Sequence, residues 1–83
     1  MSEKLEFQKA VGLQIEKFRN QQGLSYRQLA QRCEVDHSNI SKMEKGEIDM
    51  RISTLMEIAK GLSIHPTELL NFEFDITASE IEE

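Results

Sequence analysis

Apolar residues recur at spacings of three and four along the first part of the chain. Val11, Ile15 and Phe18 fall on one side of a helix at these spacings, which predicts a long first helix over residues 3–22. Gly23 follows as the expected end of that helix, because glycine readily adopts the left-handed backbone found at many helix C-termini. The apolar stripe predicts that this helix packs on a core supplied by the rest of the chain.

Residues 25–46 predict two short helices joined by a tight turn. Ser25 is a suitable N-cap for the first helix, and Gln28, three residues later, completes a capping box. The turn falls at residues 34–36, where Asp36 can cap the second helix. The residues expected to face inward are Leu29, Ala30, Cys33, Ile40 and Met43. The outward face of the second helix carries side chains that can form hydrogen bonds, namely His37, Ser38, Ser41, Lys42 and Lys45.

Two further helices are predicted downstream. The fourth covers about residues 51–62, and the fifth begins at His65 and Pro66, since proline suits the first helical position. The apolar residues assigned to the core here are Ile52, Leu55, Ile58, Ala59, Leu62, Ile64, Leu69 and Leu70. The pattern therefore predicts an all-α domain of five helices over residues 1–71.

The pattern changes at the C-terminus, where Phe72, Phe74 and Ile76 alternate with polar residues. A period of two predicts a short extended strand. Such a strand could pair with the same strand of a second subunit and contribute to dimerisation. The alternative is that Phe72 packs on its own core and the rest of residues 72–83 is a disordered acidic tail.

Charge and composition narrow the class of protein. The net charge of −5 lies entirely in residues 72–83, because residues 1–71 contain ten acidic and ten basic side chains. A domain that is neutral overall can still bind DNA through a locally basic face. No apolar run reaches the 18 residues of a membrane span, and the single cysteine, Cys33, fits a cytoplasmic protein.

The sequence contains no nucleophile–base pair, metal-ligand set or glycine-rich phosphate loop. We therefore expect no enzyme activity, no metal, no cofactor and no small-molecule ligand. Cys33 and His37 lie on either side of the turn, but two ligands are too few for a metal site.

The central stretch resembles the Xre family, the phage repressor and Cro type of helix-turn-helix protein. The resemblance rests on Ser25-x-x-Gln28-Leu29-Ala30, on Val35 and on Ile40-Ser41-Lys42-Met43-Glu44-Lys45-Gly46, and it extends over about residues 11–70. It implies a compact, five-helix, lambda-repressor-like DNA-binding domain. The implied function is that of a sequence-specific transcriptional regulator, typically a repressor, bound to double-stranded DNA as a homodimer.

The resemblance also assigns roles to individual residues. His37, Ser38 and Lys42 would contact base edges in the major groove. The residues expected at phosphates are Tyr26, Arg27, Asn39, Ser41 and Lys45. Arg19 and Glu44 match a structural ion pair of the family, and the last helix often contributes to a dimer interface.

Two departures from the family pattern affect this interpretation. Most members carry glycine where this chain has Glu34, so either Glu34 adopts a strained left-handed backbone or the turn differs. The loop before helix four contains Glu47 and Asp49, which would hold phosphate poorly. The acidic loop and tail favour an alternative function, an antitoxin-like or other protein-interaction module with a protein partner.

Overall fold

The computed structural model describes residues 3–75, so Ile76 and the rest of the predicted tail lie outside the described part. The described chain contains four α-helices, one 3₁₀ helix and no strand. The elements are α1 (Glu3–Gln21), α2 (Tyr26–Ala30), α3 (His37–Glu44), α4 (Ile52–Gly61) and the 3₁₀ helix (Pro66–Leu70). The predicted all-α class is therefore confirmed.

The fifth predicted helix is a short 3₁₀ helix rather than an α-helix. Pro66 occupies its first position, and the Nδ1 atom of His65 accepts a hydrogen bond from the Thr67 N–H at 3.2 Å. The backbone N–H groups of Glu68 and Asn71 bond to carbonyls three residues earlier, which is the 3₁₀ pattern. The segment ends after five residues because Asn71 leaves helical geometry, with φ −88° and ψ 77°.

Three of the α-helices are followed, two residues after their last residue, by a residue with a left-handed backbone. These residues are Gly23 (φ 67°), Gly46 (φ 73°) and Ser63 (φ 58°). After α4, the N–H of Ser63 donates to the carbonyl of Lys60 and the N–H of Ile64 donates to that of Ala59, both at 3.0 Å. This paired arrangement is the Schellman motif, which satisfies carbonyls at the helix end.

The helices enclose one apolar core, made of Val11, Ile15, Leu24, Leu29, Ile40, Met43, Ile58, Ala59, Leu62 and Leu69. Other predicted core residues, such as Leu55 and Ile64, are partly buried against it, but two are exposed. Ile52 is 86% exposed because it is the first residue of α4. Helical side chains tilt toward the helix N-terminus, so the side chain of Ile52 extends beyond the part of α4 that contacts the core. Leu70 is 46% exposed because its neighbour Leu69 takes the inward position.

Helix α1 packs against α3 and the 3₁₀ helix, and α2 packs against α3 and α4. The α1–α3 crossing is close at Gly12, which is buried. A Cβ atom at Gly12 would lie 2.6 Å from the carbonyl oxygen of Glu44 and closer still to that of Met43. The absence of a side chain at Gly12 therefore sets how near the C-terminal end of α3 can approach α1.

We expect Gly12→Ala to lower the free energy of unfolding by about 2 kcal/mol. Overpacking costs about 1–3 kcal/mol, and the better helix propensity of alanine offsets up to about 1 kcal/mol. The measurement is urea unfolding followed by circular dichroism. Asn20→Ala, at an exposed position of the same helix, is the control and should change stability by less than about 0.5 kcal/mol. Equal stability of Gly12→Ala and wild type would contradict the close crossing.

The aromatic rings of Phe72 and Phe74 lie against Phe7 of α1 in the same chain. The ring centroids are 5.4 Å apart for Phe7 and Phe72 and 5.1 Å apart for Phe7 and Phe74. Residues 72–75 form no strand within the described chain. Pairing of Phe72, Phe74 and Ile76 with a second subunit stays a prediction, as does a domain boundary at residue 71.

Candidate nucleic-acid interface

Helix α3 presents one apolar and one polar face. Ile40 and Met43 are buried in the core, at 0% and 3% exposure. The polar face carries the residues predicted at DNA: Ser38, Asn39, Lys42 and Lys45 are exposed, and His37 and Ser41 are half-buried. Ser38 and Lys42 are four residues apart, so they lie on the same side of the helix. The structure thus brings the predicted base-contacting residues onto one helix surface.

Asp36 caps α3 and restricts what Ser38 can do. One carboxylate oxygen of Asp36 accepts from the Ser38 N–H at 3.1 Å and also from the Ser38 hydroxyl. These two bonds hold the pKa of Asp36 below its usual range, so the carboxylate remains charged at neutral pH. Because the hydroxyl hydrogen is engaged, Ser38 Oγ is left as an acceptor. It therefore suits an amino group of adenine or cytosine.

Lys42 makes no ion pair with any residue between 3 and 75. Its ammonium group is exposed and one turn away from Ser38. A lysine in this situation can donate to guanine O6 and N7 or to a phosphate without first breaking a bond within the protein. Lys45 lies near the end of the same helix and adds a second exposed cation.

The end of α3 is fixed to α1 by Arg19 and Glu44. Arg19 Nε donates to Glu44 Oε2 at 2.6 Å, and Nη2 donates to Oε1 at 2.9 Å, so the pair is bidentate. The exposed fractions of the two side chains are 11% and 2%. The hydrogen bond to Glu44 raises the pKa of the Arg19 guanidinium above its usual value. Arg19 also donates to the Leu24 carbonyl at 2.7 Å, which ties the α1–α2 connection to the pair.

Helix α2 places Tyr26 beside this ion pair. The guanidinium carbon of Arg19 lies 4.3 Å from the centre of the Tyr26 ring, within cation–π range. The start of α2 is held by the predicted capping box. Ser25 Oγ accepts from the Gln28 N–H at 3.1 Å, and Gln28 Oε1 accepts from the Ser25 N–H at 2.8 Å. Tyr26 is therefore held by stacking and by the cap, while Arg27 is exposed.

The sequence model of the helix-turn-helix family matches residues 15–69, which is more than half of the chain. The chain belongs to the helix-turn-helix family. This confirms the Xre-type resemblance of the sequence. A search of curated proteins finds no match.

The solved structures that are similar to this helix-turn-helix protein include two regulators. The restriction-modification controller protein C.AhdI from Aeromonas hydrophila is 27% identical, with a TM-score of 0.72, and the match covers 75% of this chain and 94% of that one. The clp gene regulator ClgR from C. glutamicum is 23% identical, also with a TM-score of 0.72, and the match covers 77% of this chain and 83% of that one. At this identity the likeness to ClgR concerns the fold alone.

The turn of the helix-turn-helix differs from the family pattern at Glu34. The residues with positive φ in the described chain do not include Glu34, so the turn avoids left-handed strain. Instead α2 ends at Ala30, and the N–H groups of Arg32 and Cys33 bond to carbonyls three residues earlier. The N–H of Glu34 then donates to Glu57 Oε1 of α4 at 3.1 Å. No local sequence signal marks Glu57, because the contact depends on how α4 packs.

Cys33 packs beside the core. Its Sγ donates to the Leu29 carbonyl at 3.4 Å, and burial raises the pKa of the thiol.

Within residues 3–75, no three His, Cys, Asp or Glu side chains come together in a way that could hold a metal ion. Among the helices described, none is long and apolar enough to cross a membrane.

Proposed function

We propose that the protein is a sequence-specific DNA-binding transcriptional regulator whose α3 enters the major groove. The observation that carries this is the exposed polar face of α3, on a helix that a buried ion pair and a tight crossing attach to α1. Recognition helices of helix-turn-helix proteins enter the major groove with their N-terminal residues at the bases. The similarity to C.AhdI, a protein named as a controller, supports a regulatory role.

In this proposal the base contacts come from His37, Ser38 and Lys42. The phosphate contacts come from residues at the start of α2, along α3 and at the C-cap of α3, namely Tyr26, Arg27, Asn39, Ser41 and Lys45. Phosphate contacts fix the register of the protein on the duplex, and base contacts provide sequence preference. The protein would then repress transcription by occupying promoter DNA.

We further propose that the regulator is a homodimer on a two-fold operator. Five large apolar side chains are exposed within residues 3–75, and we call four of them, on α1, α4 and the 3₁₀ helix, the apolar patch: Phe7 (40%), Ile52 (86%), Met56 (48%) and Leu70 (46%). Three of them line an apolar groove of about 350 Å³. Contiguous exposed apolar surface is typical of protein interfaces. The patch includes no residue of α2 or α3, the helices that carry the proposed DNA contacts.

The same patch supports a second candidate, an antitoxin-like module that binds another protein. Selection of binding sites from random duplex DNA at moderate salt distinguishes the two. An enriched inverted repeat, with half-sites about one helical turn apart, is the result expected of a dimeric regulator. Folded protein that enriches no sequence would overturn the regulator proposal in favour of the protein partner.

We expect Lys42→Ala to weaken operator binding by about 1–3 kcal/mol and to relax base preference at one position. The reason is the loss of a donor to a base edge. Lys45→Ala is the matched control and should weaken binding about equally on every sequence, with a shallower salt dependence. Titrations against the operator and single-base variants provide the comparison. Equal losses on all sequences for Lys42→Ala would place Lys42 at a phosphate instead.

A further inference from the structure

The turn between α2 and α3 is held by a residue outside the helix-turn-helix unit. The Glu34 N–H donates to Glu57 Oε1 at 3.1 Å, across 23 positions of sequence. Glu57 lies in the middle of α4, and its side chain is 19% exposed. A bond to a carboxylate is stronger than one between neutral groups. The bond therefore fixes the backbone of the turn relative to α4.

A second contact places α4 against the same region. Gly61 lies four residues after Glu57 and so shares its helix face. A Cβ atom at Gly61 would lie 2.9 Å from Leu29 Cδ1 and 3.3 Å from Cys33 Cβ. The α4 backbone at Gly61 is therefore close to the inner side of α2 and to the first part of the turn. Glu57 bonds to the backbone of Glu34, the residue after Cys33. Helix α4 therefore contacts the connection between α2 and α3 at two places.

We propose that Glu57 is a positioning residue for DNA binding, because it holds the Glu34 amide and so sets the angle of α3. Two residues separate Glu34 from His37, where α3 begins. A shift of the turn would therefore displace His37 and Ser38 before any other part of α3. The turn contains no left-handed residue that would define its shape, and the bond to Glu57 supplies that constraint. This role rests on the proposed function.

Lys60 provides a control for the charge of Glu57. Its Nζ lies 3.5 Å from the same Oε1 atom, but the Lys60 side chain is 61% exposed. Exposed ion pairs of this kind contribute little, because solvent screens them. Lys60→Ala removes the cation and leaves the acceptor for the Glu34 amide in place.

The test compares Glu57→Gln with Glu57→Met in the full chain. Both replacements are neutral and of similar length, but only glutamine retains a strong acceptor. We expect Glu57→Met to lower affinity for the selected operator roughly tenfold and to change affinity for a scrambled duplex by less than about twofold. Glu57→Gln and Lys60→Ala should stay within about threefold of wild type on the operator. All four proteins are compared at one salt concentration and at a temperature where each is folded.

Amide hydrogen exchange in the free protein supplies an independent readout. The Glu34 amide should exchange faster in Glu57→Met than in wild type, and at the wild-type rate in Lys60→Ala. Equal losses of operator affinity in Glu57→Gln and Glu57→Met would overturn the positioning role. Parallel losses of affinity for the operator and the scrambled duplex in Glu57→Met would also overturn it. The same holds for an unchanged exchange rate of the Glu34 amide in Glu57→Met. If the wild-type protein selects no sequence, the proposed function itself fails, and a faster Glu34 exchange in Glu57→Met would then mark the bond as purely structural.

Discussion

Replacing Arg19 with alanine is expected to lower the free energy of unfolding by about 3–5 kcal/mol. The change leaves the Glu44 carboxylate, which is 2% exposed, without its bidentate partner. A buried charge that loses its partner cannot recover the hydration it lost on folding. The same change removes the donor to the Leu24 carbonyl and the cation over the Tyr26 ring. Arg19→Ala therefore removes three contacts of α1 at once, with α3, with the α1–α2 connection and with α2.

The measurement is urea unfolding of wild type, Arg19→Ala, Arg19→Met, Glu44→Met and the Arg19→Met/Glu44→Met double variant. Each single variant should lose about 3 kcal/mol or more, since one charge is left buried and unpaired. The double variant should recover much of this loss, because no unpaired charge remains and methionine fills similar volume. Additive losses would instead indicate that the two side chains act separately. A loss of less than about 1 kcal/mol for Arg19→Ala would show that the pair behaves as a surface ion pair.

The parts of the fold that were predictable from sequence are those set by neighbouring residues. The first helix was predicted over residues 3–22 and spans Glu3–Gln21. The capping box of Ser25 and Gln28 forms as predicted, because both partners lie within one helical turn. Asp36 likewise caps α3, since the cap and the amide it satisfies are two residues apart.

Features that depend on tertiary packing were predicted less well. Ile52 fits the apolar period of α4, but its side chain is exposed. Burial at this position would require another part of the chain to pack over the first turn of that helix, which the period does not reveal. The second helix was predicted to continue to Cys33, whereas α2 ends at Ala30 and Gln31 is its C-cap, after which the backbone bonds of Arg32 and Cys33 reach back only three residues. His37, Ser38 and Lys42 all lie on α3, so their placement on one helix was predictable, while their roles at DNA stay predictions from the family resemblance. The contact of Glu57 with the turn was not predictable, because Glu57 reaches that region from α4.

The second large effect is expected at the apolar patch. Ile52→Glu should convert the proposed dimer into a monomer, because it places a charge in an interface that must lose water on association. Ile52 is 86% exposed in the single chain, so the stability of the folded monomer should change by less than about 0.5 kcal/mol. Sedimentation at a series of protein concentrations measures the change in mass.

Loss of the dimer should weaken binding to an inverted repeat far more than binding to a single half-site. Two linked domains on adjacent half-sites gain roughly 10²- to 10⁴-fold in avidity over one domain alone, and Ile52→Glu should forfeit most of this gain. Leu13→Glu is the matched control, because Leu13 is 61% exposed on α1 and lies outside the patch while the added charge is the same. Repulsion between the new carboxylate and DNA should therefore appear in both variants, and only the dimer effect should be specific to Ile52→Glu. Equal losses in the two variants, or a wild-type protein that sediments as a monomer, would contradict a dimer interface at this patch.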